Sequence, residues 1–250
     1  MSSSYNVGIR LILPIYPCFI SLVGLSTLHF EKSKMLRYAV CFLLLWLGFI
    51  FFYQSRDSLA YFNEFAGGSK NGYKHLVDSN LDWGQDLPLL AAYLEEQEDQ
   101  EVWIQYFGSS FLSSYGIDDR WIVLPYAQPK STDALLDPLS GGRYIVSLTY
   151  LFGGYILDSS FLYPMDSEQW ATLHHKISLY NKGLREPKSQ NLYKTTYEAP
   201  PTKEERIMLR GFQGIALLNR LKQREPDARI GYTMFVYQLT DDEVANLISP

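Results

Sequence analysis

Two apolar stretches long enough to cross a lipid bilayer occupy the first part of this 250-residue chain, at about residues 9–28 and 38–53. Nothing else in the sequence narrows the fold as much. A helix of ~20 consecutive apolar residues matches a hydrocarbon core of ~30 Å and has no place on a soluble surface. The first stretch carries Pro14 and Pro17. Those prolines would break a soluble helix, but they are tolerated in a membrane bundle where neighbouring helices satisfy the freed carbonyls. Tyr38 and Tyr53 flank the second stretch as interfacial anchors do. A cleaved signal peptide fits poorly, since the first run exceeds an h-region, no small-x-small site follows it, and a second span comes at once.

Charge orients the pair. The short segment between them holds Lys32, Lys34 and Arg37, against Arg10 alone ahead of that segment. The excess of cations predicts a cytoplasmic loop. The expected layout is a two-pass protein of a bacterial cytoplasmic (inner) membrane. A helical hairpin covers residues 1–55, a connector 56–75, and a soluble domain outside the cytoplasm 76–250. The formal net charge of -5 argues against nucleic acid as a partner; membrane lipid is the expected one. Both cysteines, Cys18 and Cys41, fall in the apolar stretches, so the soluble part can form neither a disulfide nor a CxxC metal site. No metal or cofactor is expected.

Beyond residue 55 the hydrophobic pattern alternates between strand and helix. Strands are predicted at 102–107, 121–124, 143–150 and 230–239, with a short apolar run at 76–77 that could be another. Helical spacing marks 86–96, 167–180 and 203–224, and a short helix is predicted at 241–247. Gly67-Gly68 and Asn71-Gly72 are turn signals in the connector. Residues 125–142 read as a loop with a short helix near Asp133, and residues 181–202, with Pro187, Pro200 and Pro201, as an extended loop. Strands separated by helices predict an α/β domain with a mainly parallel sheet, in which ligands gather at the carboxyl ends of the strands.

The segment that invites a functional reading runs from Asp78 to Asp86, DSNLDWGQD. Asp78, Asn80, Asp82, Gln85 and Asp86 offer oxygens and amides to sugar hydroxyls, and Trp83 offers a ring face. These six residues are the candidate substrate-binding set. The structural alternative is a strand-to-helix junction in which Asp82 or Asn80 caps the helix and Trp83 packs on the sheet. A calcium loop is excluded because the twelfth position is Leu89 where a bidentate Glu belongs. His174 and His175 are adjacent in a predicted helix and point about 100° apart, too far to share one metal. Gly67-Gly68-Ser69-Lys70 lacks phosphate-loop spacing, and neither a nucleophile elbow nor a zincin motif is present.

Several pieces together resemble one family. LILPIYP in the first stretch is followed by SLAYFNEFAGG and NGYKHLVDSNLDWGQDL, then by IQYFGSS, YGI, RYIVSLTYL and ARIGYTMFVYQL. In this order, spread from Arg10 to Leu239, they resemble the C-terminal part of bacterial multi-spanning GT-C type membrane glycosyltransferases. These are related to protein O-mannosyltransferases and use polyprenyl-phosphate sugars. The resemblance implies an inner-membrane helical bundle with an extracytoplasmic C-terminal domain, and as partners a polyprenyl-phosphate sugar or a companion multi-spanning subunit. The family's catalytic carboxylate lies in its first extracytoplasmic loop, which has no counterpart here, so the resemblance brings no catalytic residue to this sequence. The chain is therefore expected to be a C-terminal, membrane-anchored fragment of such an enzyme, inactive alone. The other expectation is a stand-alone membrane-anchored carbohydrate-binding or interaction protein.

Overall fold

A computed structural model of the chain describes residues 14–26, 33–53, 59–97, 101–117, 121–122, 138–153, 167–197 and 199–249. The chain divides into two compact units, Met1–Leu81 and Asp82–Pro250.

In the first unit, α1 (Tyr16–Ser26) and α2 (Lys34–Tyr53) are the two apolar helices. At 1.5 Å per residue, the 20 residues of α2 span ~30 Å, the thickness of a hydrocarbon core. None of its residues is buried, and Phe42, Trp46, Phe49 and Tyr53 stack along one side with ring centroids 6.0–6.4 Å apart. By contrast, α1 has only 11 residues, ~16 Å, and does not span by itself. Among the described residues one helix, not two, is long and apolar enough to cross a membrane. Residues 9–13 and 27–28 of the predicted first span lie outside the described residues.

The connector forms successive 3-10 turns at Glu64–Ala66, Ser69–Lys74 and Asp78–Asn80. Phe62 lies over Gly72, where a Cβ would meet its ring at 2.1 Å, and it stacks on His75, whose Nε2 lies 3.0 Å from the Ala66 carbonyl. The apolar pair Leu76-Val77 forms no strand.

The second unit is built on a four-stranded sheet. Its strands are β1 (Val102–Gln105), β2 (Gly142–Ser147), β3 (Ala228–Ile230) and β4 (Met234–Leu239), in spatial order β1-β2-β4-β3. The helices are α3 (Leu87–Glu95), α4 (Leu148–Phe152), α5 (Ser167–Gly183), α6 (Pro187–Thr196), α7 (Lys203–Leu221) and α8 (Asp241–Leu247). Ile104, Tyr106, Ile145, Met234 and Val236 join Leu87 and Leu90 of α3 in one core cluster. On the alternate positions Trp103 stacks on Tyr144 at 6.1 Å, and the Arg210 guanidinium of α7 lies over Trp103 at 5.2 Å. Behind α7 a second cluster joins Leu173 and Ile177 of α5 to Leu209.

The expectation of an α/β fold stands in its coarse form, but the sheet is mostly antiparallel. Among the four described strands only β1 and β2 run parallel; β2–β4 and β3–β4 are antiparallel. Continuous apolar strands report burial on both faces, which parallel sheets usually have. Here two helical layers bury an antiparallel sheet in the same way, so the pattern carried no information about direction. Three local expectations also change. The predicted strand at 143–150 ends at Ser147, whose Oγ accepts from Thr149 N and starts α4. The predicted strand at 230–239 is two strands joined by a turn at Gly231, φ +55°. Residues 187–196, expected as loop, form α6, with Pro187 in its first turn, where proline is tolerated. At 121–124 the described part is one parallel bridge from Trp121 to Ile104. The loop at 125–142 lies mostly outside the described residues.

Candidate functional site

The Asp78–Asp86 segment lies at the boundary between the two units, so its two ends are described separately. In the first unit, Asp78 adopts φ +61°, its carbonyl accepts from Leu81 N at 2.8 Å, and Asn80 Nδ2 reaches the Val77 carbonyl at 3.5 Å. Both side chains are half-buried in a tight local turn.

In the second unit the segment reaches the carboxyl end of β2 without following a strand into it. Asp82 and Asp86 are both buried, and each carboxylate joins segments far apart in the chain. Asp82 Oδ1 accepts from Gly84 N at 2.9 Å, which closes a local turn, and its Oδ2 accepts from the Ser147 hydroxyl at the β2–α4 junction. Asp86 Oδ2 accepts from Tyr232 N at 3.0 Å, Thr233 N at 3.1 Å and Thr233 Oγ1 at 2.8 Å. It therefore holds the β3–β4 turn, and Leu148 N donates to the Thr233 carbonyl at 2.8 Å to complete the stitch. Asp86 stands at the N-cap position of α3, but its side chain makes no cap hydrogen bond. The helix-capping expectation is thus corrected for Asp82 and Asp86: these carboxylates join loops to the sheet end, and it is carbonyls that serve the helix, Gly84 accepting from Leu87 N at 3.3 Å and Asp86 from Leu90 N at 2.9 Å.

Glycines make this packing possible. A Cβ on Gly231 would stand 2.1 Å from Asp86 Oδ2, inside van der Waals contact. The Tyr106 hydroxyl lies where side chains on Gly84 or Gly108 would go, with a Cβ at either one 1.9 Å from its oxygen. Gly84 also has φ +84°, a left-handed conformation that costs other residues ~1–2 kcal/mol. Burial, then the charge of Asp82, push the Tyr106 hydroxyl up to about 12, with Ser110 partly offsetting them.

Of the six candidate residues, Asp82 and Asp86 are thus brought to one end of the sheet with their oxygens turned to the protein. Gln85 is half-buried, and its Oε1 accepts from Trp83 N at 2.8 Å. Trp83 is 57 % exposed. Residues that the sequence did not single out complete the cluster, namely Tyr106, Ser147 and Thr233. Their one legible signal was the recurrence of glycine, at 84, 108 and 231, beside the polar positions.

No three His, Cys, Asp or Glu side chains gather as a metal-binding set among the described residues. His175 Nδ1 lies 3.0 Å from the Tyr197 hydroxyl, and burial, with the neighbouring His175, lowers the His174 pKa. No protein-family model, no curated protein and no solved structure matches the chain.

Proposed function

We propose that this chain is the C-terminal, membrane-anchored portion of a GT-C-like glycosyltransferase, with no transferase chemistry of its own. One observation carries the proposal: α2 is an apolar helix of 20 residues with none of them buried, joined by a short connector to a folded α/β unit. A helix apolar all round needs lipid or other helices to cover it. The family resemblance supplies the kind of assembly, a bundle whose further spans and catalytic loop would come from a companion subunit. The committed carboxylates fit the lack of catalysis. A general acid or nucleophile must reach its substrate, whereas Asp82 and Asp86 are spent on Gly84, Ser147, Tyr232 and Thr233.

In this proposal the apolar stretch at 9–28 pairs with α2 across the inner membrane and leaves Lys32, Lys34 and Arg37 in the cytoplasm. The test has two parts. With Cys18 and Cys41 changed to Ser, a Ser249→Cys variant should react with a membrane-impermeant maleimide on intact cells. The purified chain should transfer no sugar from a polyprenyl-phosphate donor until a multi-spanning partner is supplied. Transfer by the chain alone would sink the proposal, as would labelling only after lysis. The exposed ring of Trp83 favours a second reading, a carbohydrate-binding surface outside the membrane. That reading requires Trp83→Ala to weaken glycan binding.

A further inference from the structure

Outside the two apolar helices, one large apolar side chain is far more exposed than any other among the described residues. Phe65, in the 3-10 turn Glu64–Ala66, is 102 % exposed, whereas the next, Leu184, is 68 % exposed. A ring left wholly in water contributes nothing to the fold, since the gain comes from apolar area removed from water.

The turn that presents this ring is held from several sides. Ala66 N donates to Asn63 Oδ1 at 2.9 Å and to the Asn63 carbonyl at 3.0 Å, and Gly68 N donates to the same carbonyl at 3.1 Å. Asn71 Nδ2 donates to the Gly67 carbonyl at 3.1 Å, and His75 Nε2 lies 3.0 Å from the Ala66 carbonyl. Phe62, three residues before Phe65, covers Gly72 and stacks on His75 at 6.2 Å. The segment thus packs one phenylalanine inward and holds the other out.

Area and charge say what covers it. Phenylalanine buries about 150–250 Å², whereas a stable protein interface takes about 800 Å² from each partner. Around Phe65 the sequence is polar, with Asn63, Glu64, Gly67, Gly68, Ser69 and Lys70, so no broad apolar patch surrounds the ring. A single ring is enough, however, to settle in a bilayer surface to which the chain is already tied. Leu59, itself 51 % exposed, follows Tyr53 at the end of α2 by six residues, at most about 20 Å of extended chain. Lys70 and Lys74 are exposed in the same stretch, against Glu64 alone, and cations are the groups that phosphate headgroups attract.

We infer that the Glu64–Ala66 turn is a membrane-interface anchor, with the Phe65 ring seated at the boundary between headgroups and acyl chains of a phospholipid leaflet. The inference rests on α2 crossing the bilayer, as proposed above, but requires neither a glycosyltransferase partner nor a particular orientation of the span. It gives the connector a binding role of its own.

Fluorescence quenching on the full chain tests it, in nanodiscs of equal parts phosphatidylcholine and phosphatidylglycerol. With Cys18 and Cys41 changed to Ser, a nitrobenzoxadiazole dye is placed at Phe65→Cys or, as a marker of the span, at Leu45→Cys. Lipids carrying a spin label near the top of the acyl chain should quench the dye at 65 at least about twofold more than lipids labelled at the chain end. The dye at 45 should show the reverse order. A third chain, with the dye at Lys70→Cys and Phe65 in place, reads the effect of the natural ring. Adding Phe65→Ser there should lower quenching by the shallow label about twofold or more. Quenching at 45 with a dye at 65 that no lipid label reaches and iodide does would overturn the inference and leave the span intact. A dye at 65 shielded from iodide but untouched by either lipid label would mean a protein covers the turn, which overturns it too. Indifference of the dye at 70 to Phe65→Ser would do the same. Absence of lipid quenching at both 45 and 65 would remove the span and the inference together.

Discussion

Asp86 offers the sharpest test of what the DWGQD segment does. Its carboxylate accepts from two backbone N–H groups and a hydroxyl of the β3–β4 turn at 3.0, 3.1 and 2.8 Å, and the residue is 4 % exposed. Hydrogen bonds to a charged group contribute about 1.5–3 kcal/mol each, and a buried donor left without its acceptor costs about 1–3 kcal/mol. The three share one oxygen, and relief of the buried charge offsets part of the loss, so Asp86→Ala should cost about 3–5 kcal/mol. At about 2–4 °C per kcal/mol for a unit of this size, the melting temperature should fall by about 6–20 °C. Gly231→Ala should be nearly as harmful for a linked reason. Its Cβ would stand 2.1 Å from Asp86 Oδ2, and its backbone sits at φ +55°, where alanine costs about 1–2 kcal/mol. Once Asp86 is alanine the collision disappears and only the backbone strain remains. The double variant should therefore be more stable than the sum of the single losses predicts, by about 1 kcal/mol or more. Urea and thermal unfolding of the four proteins, followed by circular dichroism, gives the cycle. An Asp86→Ala variant within about 0.5 kcal/mol of the parent would show that the carboxylate does not hold the turn. Additivity within about 0.5 kcal/mol would refute the steric link.

Further outcomes follow from the same cluster and its surroundings. Gly84→Ala should destabilise by about 2 kcal/mol or more through its positive φ and its clash with the Tyr106 hydroxyl, and Tyr106→Phe in the same chain should restore part of the loss in a melting experiment. Ser147→Ala removes the donor to Asp82 Oδ2 and should cost about 1–3 kcal/mol in urea unfolding. The Tyr106 hydroxyl is pushed up to about 12 by burial and by Asp82, so the folded state holds its proton more tightly than the unfolded chain. Its contribution is complete below the ordinary tyrosine value near 10 and is lost as pH rises through about 12, so alkaline unfolding of Tyr106→Phe should lack this part of the transition. Glu243 is held below the ordinary carboxylate range by Thr240 and Arg224, which gives α8 a stabilisation present at neutral pH and lost as pH falls through the lowered value. Amide exchange in α8 should accelerate there, and Glu243→Gln should abolish that pH dependence.

What the sequence revealed and what it hid have separable causes. Helices α3, α7 and α8 were legible because their signals are local, in Pro88 near a helix start, apolar spacing along α7, and acids in the first turn of α8. The direction of the strands was not, because β2 and β4 are apolar on both faces whichever way they run. The break of β3–β4 at Gly231 was hidden because the glycine sits inside IGYTMFVYQL, whose β-branched and aromatic residues read as one strand. The polar segment announced itself as a cluster, but its purpose depended on residues 147 and 233, which no local pattern ties to 82 and 86.

The Asp86–Thr233 contact also sets an order for events during synthesis. The donors that stabilise Asp86 lie 146 and 147 residues further along the chain, and β4, which bears on them, is inserted between β2 and β3 rather than added at an edge. At about 5–20 residues per second, the carboxylate waits on the order of ten seconds or more on the ribosome before its partners exist. From the completion of β2 until β4 emerges, β2 exposes the edge that β4 will occupy, an open template for pairing with other chains. Any nascent chain cut short before β4 keeps that edge bare and its buried acid unmet, so such products should go to aggregation or proteolysis rather than accumulate as a smaller folded protein.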